Sequence, residues 1–290
     1  MVEAFYPSDL QEALNIRSEK KALPFAGGTD LMVKYRSWSS LSPAIDRPAL
    51  FIDKIKDLQT LFLNMGILSI GAGVTLARIC SSRDVPEILA RAAESVAAPA
   101  IRNRATIGGN ICNASPAGDT LPPLYALDSK IKIASKGKGE RIIPIEEFIK
   151  GPGKTSLEDD ELALEIIIPD RYFPVSCFRK VGTRKANALS KLSFTAIADL
   201  RGNKVLEIRI AFGAVGPTVV RSRDLEKTFE GKTVEELKEP QFLEKILKDY
   251  SQLINPISDQ RSTSEYRKKV CLNLLRSFLE KDLGSPRGGN

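Results

Sequence analysis

Two glycine pairs, each set where an extended apolar run gives way to a helix, constrain this chain more than any other feature. The first lies in "LPFAGGTDL", residues 23 to 31, and the second in "RATIGGNICNASPAGDTLPPLYALD", residues 104 to 128. Glycine at such a junction permits positive φ and lets a ligand touch the main chain, and the amides that open the next helix attract anions. Both pairs are joined to Thr, Asn or Asp donors, so together they point to a ligand with two phosphates. Neither loop fits GxxxxGK[ST], and no GxGxxG follows a strand, which disfavours a P-loop nucleotidase and a Rossmann site. A large dinucleotide held between two loops is what remains.

Histidine is absent from all 290 residues. That excludes Ser-His-Asp triads, histidine metal sites and imidazole acid–base chemistry; if the chain is an enzyme, its chemistry is expected to come from a bound cofactor. The four cysteines, at 80, 112, 177 and 271, show no CxxC and no short spacing. No resident metal or iron–sulfur cluster is expected on this chain. Cys112, inside the second glycine stretch, reads as a small buried filler.

The chain is long enough for two cores. Its basic residues outnumber the acidic ones 43 to 36 but are scattered and not interleaved with aromatics, so a nucleic-acid groove is not expected. The opening "MVEAFYPSDLQEAL" lacks the pattern of a signal peptide, and no apolar run reaches 18 residues. A cytoplasmic protein with reduced thiols and no membrane span is the expectation.

Hydrophobic periodicity predicts a helix from about Asp9 to Ser18, capped by Ser8 with Gln11, then a strand at Leu23 to Ala26 broken by Gly27 and Gly28. Thr29 and Asp30 can cap a short helix from Leu31. Residues 50 to 73 read as a strand, a turn and a hairpin bent at Asn64-Met65-Gly66, after which Thr75 opens a helix. Asp84 and Glu87 form a second capping box over Val85, Ile88, Leu89, Ala92, Ala93 and Val96, and Pro99 ends that helix. A short helix in "LPPLYAL" then leads into strands at "KIKIAS", "RIIPI", "ALEIIIP" and "PVSCFRKV". Beyond Asp170 the stretch "KLSFTAIADLRGNKVLEIRIAFGAVG" reads as two strands joined at Gly202-Asn203, and the tail as helices. Tyr266, Val270, Cys271, Leu274, Leu275 and Phe278 line one stripe of the last, which reads as packing.

"PFAGGTDL" and "IRNRATIGGNICNASPAGD", with "DDELALEIIIP", "FRKVGTRKANALSKLSFTAIADL" and "DQRSTSEYRKKV" in the same order, closely resemble the FAD-carrying (medium) subunit of the molybdenum hydroxylases, the family of xanthine, carbon monoxide and nicotinate dehydrogenases. The resemblance implies an α+β fold. A vanillyl-alcohol-oxidase-type (PCMH-type) FAD-binding domain would span residues 1–170, in two α+β subdomains of about 1–55 and 56–170, followed by a smaller C-terminal α+β domain at 171–290. It implies non-covalent FAD, since no histidine can tether the flavin, and partners in a heterotrimer: a large molybdopterin subunit and a small subunit with [2Fe-2S] clusters. Electrons would pass from those clusters to FAD and on to NAD+ or another acceptor, with no catalytic side chain required.

Carried onto this sequence, the resemblance places Pro24, Phe25, Ala26, Gly27, Gly28, Thr29, Asp30 and Leu31 around the FAD diphosphate and flavin. It makes Thr106, Ile107, Gly108, Gly109 and Asn110 a second set of backbone donors. Ala97 would lie near the flavin ring, Asp119 toward the adenosine ribose, Leu162 beside the adenine and Lys180 near the flavin end. Asp119 has a second reading as an N-cap for the helix at Leu121, and Lys180 as a solvated surface lysine. Many relatives carry Asp-Ile-Ala where this chain has Asn187-Ala188-Leu189-Ser190, and the inserted cysteine cluster of 4-hydroxybenzoyl-CoA reductase is missing. Two other readings stay open: a reductase of the UDP-N-acetylenolpyruvoylglucosamine type, and an interaction subunit that has lost FAD.

Overall fold

The computed structural model describes residues 2–39 and 41–284. In chain order these form β1 (Ala4–Phe5), α1 (Leu10–Lys20), β2 (Leu23–Phe25), α2 (Leu31–Lys34), β3 (Ala49–Phe51), β4 (Leu61–Asn64), β5 (Ile67–Gly71), α3 (Leu76–Ser81), α4 (Glu87–Glu94), α5 (Pro99–Arg102), α6 (Ile107–Asn113) and α7 (Leu121–Ala126). There follow β6 (Lys130–Ser135), β7 (Gly139–Pro144), α8 (Ile145–Phe148), β8 (Ile149–Gly151), β9 (Lys154–Thr155), β10 (Glu161–Pro169), β11 (Val175–Val181), β12 (Leu192–Arg201), β13 (Lys204–Gly213), β14 (Val220–Arg221), α9 (Arg223–Lys227), α10 (Val234–Lys238), α11 (Pro240–Leu253) and α12 (Ser264–Ser277). The content is α+β, as expected.

The chain divides into two compact units, and the division is not contiguous in sequence. Unit 1 holds Met1–Pro86, Ala97–Ser115 and Asp128–Asp170, while unit 2 holds Glu87–Val96, Pro116–Leu127 and everything from Arg171 onward. Two helical segments expected with the first domain, those of α4 and α7, therefore pack with the second.

Unit 1 contains a small parallel sheet in the order β1-β3-β2 and an antiparallel sheet in the order β4-β5-β10-β6-β7. Its first helix starts one residue later than the expected cap: Asp9 accepts from the Glu12 amide at 2.8 Å, and the Glu12 carboxylate accepts from the Ser8 amide at 2.7 Å. An acidic pair in the first turn suits the positive end of the helix dipole, so it displaces the weaker Ser8–Gln11 pairing. Arg17, buried on α1, donates to the carbonyls of Ala22 at 2.8 Å and Glu161 at 3.2 Å and so locks the helix to the start of β10. The β4–β5 hairpin turns through Met65 and Gly66, with φ of 47° and 74°, the double left-handed turn that matches strand twist.

The helix expected from Asp84 begins instead at Glu87. Pro86 disfavours helical backbone at Val85, so the Asp84 box cannot form. Pro99 does not end that helix but opens the next, as the first residue of α5.

Unit 2 is built on an antiparallel sheet in the order β11-β12-β13-β14, with Gly202-Asn203 at the β12–β13 turn as the sequence predicts. Phe194, Phe212, Tyr250 and Phe278 form an aromatic cluster, with contacting ring centroids 5.3 to 6.0 Å apart, between this sheet and the C-terminal helices. Side chains alternate along a strand, so Gly213 faces the opposite side from Phe212. There a β-carbon on Gly213 would lie 2.8 Å from the Pro122 ring, which places α7 on that second face.

Candidate cofactor-binding site

In unit 1, β2 ends at Phe25 and residues 26–30 carry the chain to α2. Among the described residues, the backbone N–H groups of Gly27, Gly28, Thr29, Asp30 and Leu31 make no hydrogen bond. Five consecutive unpaired amides form an anion-seeking stretch, because each carries a partial positive charge with no protein acceptor. Gly27 is required by close approach: a β-carbon there would stand 1.9 Å from the Arg104 carbonyl oxygen. The two glycine-rich loops are thus in direct contact through that position.

The second loop behaves differently from expectation. Ile107 donates to Val74 O and Gly108 to Ala72 O, each at 2.9 Å. Gly109 donates to the Thr106 hydroxyl at 3.0 Å and Asn110 to Thr106 O at 2.9 Å. Thr106 is the N-cap of α6, so the amides expected to face a ligand are occupied by the helix's own cap and by the strand-end segment at Ala72–Val74. Four of the five residues proposed as backbone donors, Ile107 through Asn110, are turned inward in this way.

A cavity of about 260 Å³ opens where the loops meet. It is lined by Ala26, Gly27 and Thr106 from the glycine loops, by Gly73-Val74-Thr75, and by the polar residues Asp53, Gln59, Arg78, Asn103 and Arg104. Drug-sized ligands occupy roughly 300–1,000 Å³. The cavity therefore suits the diphosphate segment of a dinucleotide rather than the whole molecule. Unpaired amides, two arginine residues at the cavity and a glycine contact with no room for a side chain make up a donor set that fits such a segment. Arg78, Asn103 and Arg104 are not among the site residues expected from the sequence, although Asn103 and Arg104 lie in "IRNR" directly before the second glycine pair.

Two further expected residues lie in unit 1. Leu162 is buried in a core cluster against which Ala26 also packs, so it shares a core with the first loop. Ala97 adopts a left-handed φ of 46°, and its carbonyl accepts from Arg102 at 3.2 Å. Burial pushes the Cys112 thiol up to about 12, which agrees with an inert filler. Among the described residues no cluster of His, Cys, Asp and Glu could hold a metal ion.

Asp119 and Lys180 lie in unit 2 and are bonded to each other. Lys180 Nζ stands 2.6 Å from Asp119 Oδ2 and 2.8 Å from the Ser95 carbonyl oxygen, and the Ser190 hydroxyl donates to Asp119 Oδ1. Burial pushes the Asp119 carboxyl above its ordinary value, against the opposing pull of Lys180 and Ser190. The resemblance sets Asp119 toward the adenosine ribose and Lys180 near the flavin end; the structure bonds the two to each other. Asp119 is not the helix cap, since Thr120 occupies that position in α7. Ser190, at the end of the stretch Asn187-Ala188-Leu189-Ser190, is the residue of that stretch that reaches this carboxylate.

Residues 1–171 match the family model described as the FAD binding domain in molybdopterin dehydrogenase, and residues 177–281 match the CO dehydrogenase flavoprotein C-terminal domain. The putative xanthine dehydrogenase FAD-binding subunit of Escherichia coli K12 is 31% identical over 287 residues, covering 96% of this chain and 95% of that protein. The glyceraldehyde dehydrogenase medium chain of Sulfolobus acidocaldarius is 33% identical over 280 residues, covering 93% and 95%. In fold, the chain superposes on a chain of the Cu,Mo-CO dehydrogenase with a TM-score of 0.86 at 22% identity, covering 97% of each.

Proposed function

The chain belongs to the family of FAD-binding subunits of molybdopterin dehydrogenases, a group of oxidoreductases, and on that premise we propose that it is the electron-transfer subunit of a molybdenum-containing hydroxylase complex. In this reading a large partner subunit hydroxylates substrate at a molybdopterin, and a small partner carries [2Fe-2S] clusters. This chain receives the electrons in the cytoplasm and delivers them to NAD+ or another acceptor. FAD, held non-covalently, supplies the redox chemistry.

The chain's own residues bind and orient. The unpaired amides of Gly27 to Leu31, a stretch whose first residue lines the cavity together with Thr106, carry the proposal, because an anionic diphosphate is what consecutive N–H groups without a protein acceptor select. Pro24 to Ala26 lead the chain into that loop, and Leu162 backs it from the core. Asp119 and Lys180 enter this reading as a bonded pair. The match of residues 177–281 to the flavoprotein C-terminal domain weighs against a reductase of the UDP-N-acetylenolpyruvoylglucosamine type.

The test is purification of the chain with its co-purifying partners. The expected complex is yellow, releases FAD on denaturation, and contains molybdenum and iron on two further chains. A colourless chain that cannot be reconstituted with FAD would overturn the reading.

A further inference from the structure

We propose that Arg104, with Arg78 at the same cavity, supplies the fixed positive charge that neutralises the cofactor's diphosphate; the proposal rests on the FAD reading above. Both phosphates of the bridge are ionised at neutral pH. A partly enclosed anion needs compensation, and hydrogen-bond donors alone give only partial charge. The fold limits what the main chain can contribute: α2 has only four residues, so its dipole is short, and the amides of Ile107 to Asn110 are already bonded within the protein.

Full charge must then come from side chains, and the cations lining the cavity are Arg78 and Arg104, opposed by the single carboxylate of Asp53. The Arg104 main chain is fixed. Its amide donates to Ile101 O at 3.0 Å, and its carbonyl is the atom against which Gly27 packs. Its guanidinium, by contrast, makes no hydrogen bond or ion pair among the described residues. An anchored backbone with an uncommitted planar fork is the arrangement that takes a phosphate bidentately. Arg78 donates one N–H to the carbonyl of Gln59, another residue lining the cavity, and its guanidinium makes no other hydrogen bond among the described residues.

The experiment uses the full chain stripped of flavin and titrated with FAD, ADP and riboflavin at several salt concentrations, for wild type, Arg104→Gln, Arg104→Lys and Arg78→Gln. Loss of a charge-assisted bond is expected to weaken FAD and ADP binding by about ten-fold or more in Arg104→Gln, with a smaller loss in Arg78→Gln and in Arg104→Lys. Riboflavin, which has no phosphate, should bind the variants as it binds wild type, and the salt dependence of FAD binding should become shallower. The proposal is overturned if Arg104→Gln binds FAD within two-fold of wild type, if riboflavin weakens as much as FAD, or if the salt dependence is unchanged. Failure of the wild-type chain to bind FAD at all would instead remove the functional reading beneath it. Thermal midpoints guard against a folding defect, and Arg104→Lys gives a second, charge-preserving test.

Discussion

Lys180 Nζ and Asp119 Oδ2, 61 residues apart in sequence, meet at 2.6 Å inside unit 2 with side chains only 14% and 6% exposed. The pair fastens the segment before α7 to strand β11, and Ser190 completes the carboxylate's bonding from the start of β12. Removing one partner strands a buried charge, which costs about 3–5 kcal/mol, whereas replacing both with apolar groups costs far less. Asp119→Ala is therefore expected to lower the urea midpoint strongly, and the double variant Asp119→Ala, Lys180→Met to recover much of the loss. Additive effects in that double-mutant cycle would show that the two side chains are not coupled.

Gly27→Ala tests the contact between the two glycine loops. The added methyl has no flexible neighbour to displace, because the atom 1.9 Å away is a main-chain oxygen. The loops must separate, so both FAD affinity and the thermal midpoint should fall. Gly137→Ala, at a position with open space around it, serves as the control and should change neither. Equal behaviour of the two variants would remove steric contact as the reason for glycine at position 27.

What could be read from the sequence was local. Thr75 caps α3 and accepts from the Arg78 amide at 3.3 Å, and Met65-Gly66 makes the hairpin turn, because each depends on residues within three or four positions. The shift of the α4 start to Glu87 was also local, yet the Asp84–Glu87 pattern concealed it, and Pro86 decides the outcome. The Gly27–Arg104 contact, the inward bonding of Gly108 to Ala72 and the Lys180–Asp119 pair join residues distant in the chain. No periodicity encodes them. The glycines thus announced a close approach without saying whether a ligand or another loop makes it, and at Gly27 the neighbour is the second loop.

The pH dependence of unit 1 should trace in part to Glu161. Its buried carboxylate accepts two N–H bonds from Arg141, each 2.8 Å, and one from the Glu158 amide at 2.9 Å, which hold it below the usual glutamate range. A carboxylate depressed on folding contributes stability at pH values above its unfolded value, near 4.3, and that contribution is lost as pH falls through the folded value. Glu161→Gln should be less stable than wild type at pH 7, and the difference should shrink toward pH 3. Thermal midpoints taken every half unit between those limits would decide, and a gap that stays constant would refute the assignment.

The cysteines provide a test of where the redox chemistry resides. Burial pushes the thiols of Cys112, Cys177 and Cys271 each up to about 12, with the Asp282 carboxylate, 3.5 Å from Cys177 Sγ, adding to the rise there. At pH 8 the thiolate fraction of each is then roughly one part in ten thousand, and the thiolate is the reactive form. In the folded chain these three cysteines should resist iodoacetamide at pH 8 for hours, and in denaturant all should be alkylated within minutes, as read by peptide mass spectrometry. Rapid native-state alkylation of Cys112, the cysteine within the second glycine stretch, would contradict its raised thiol value.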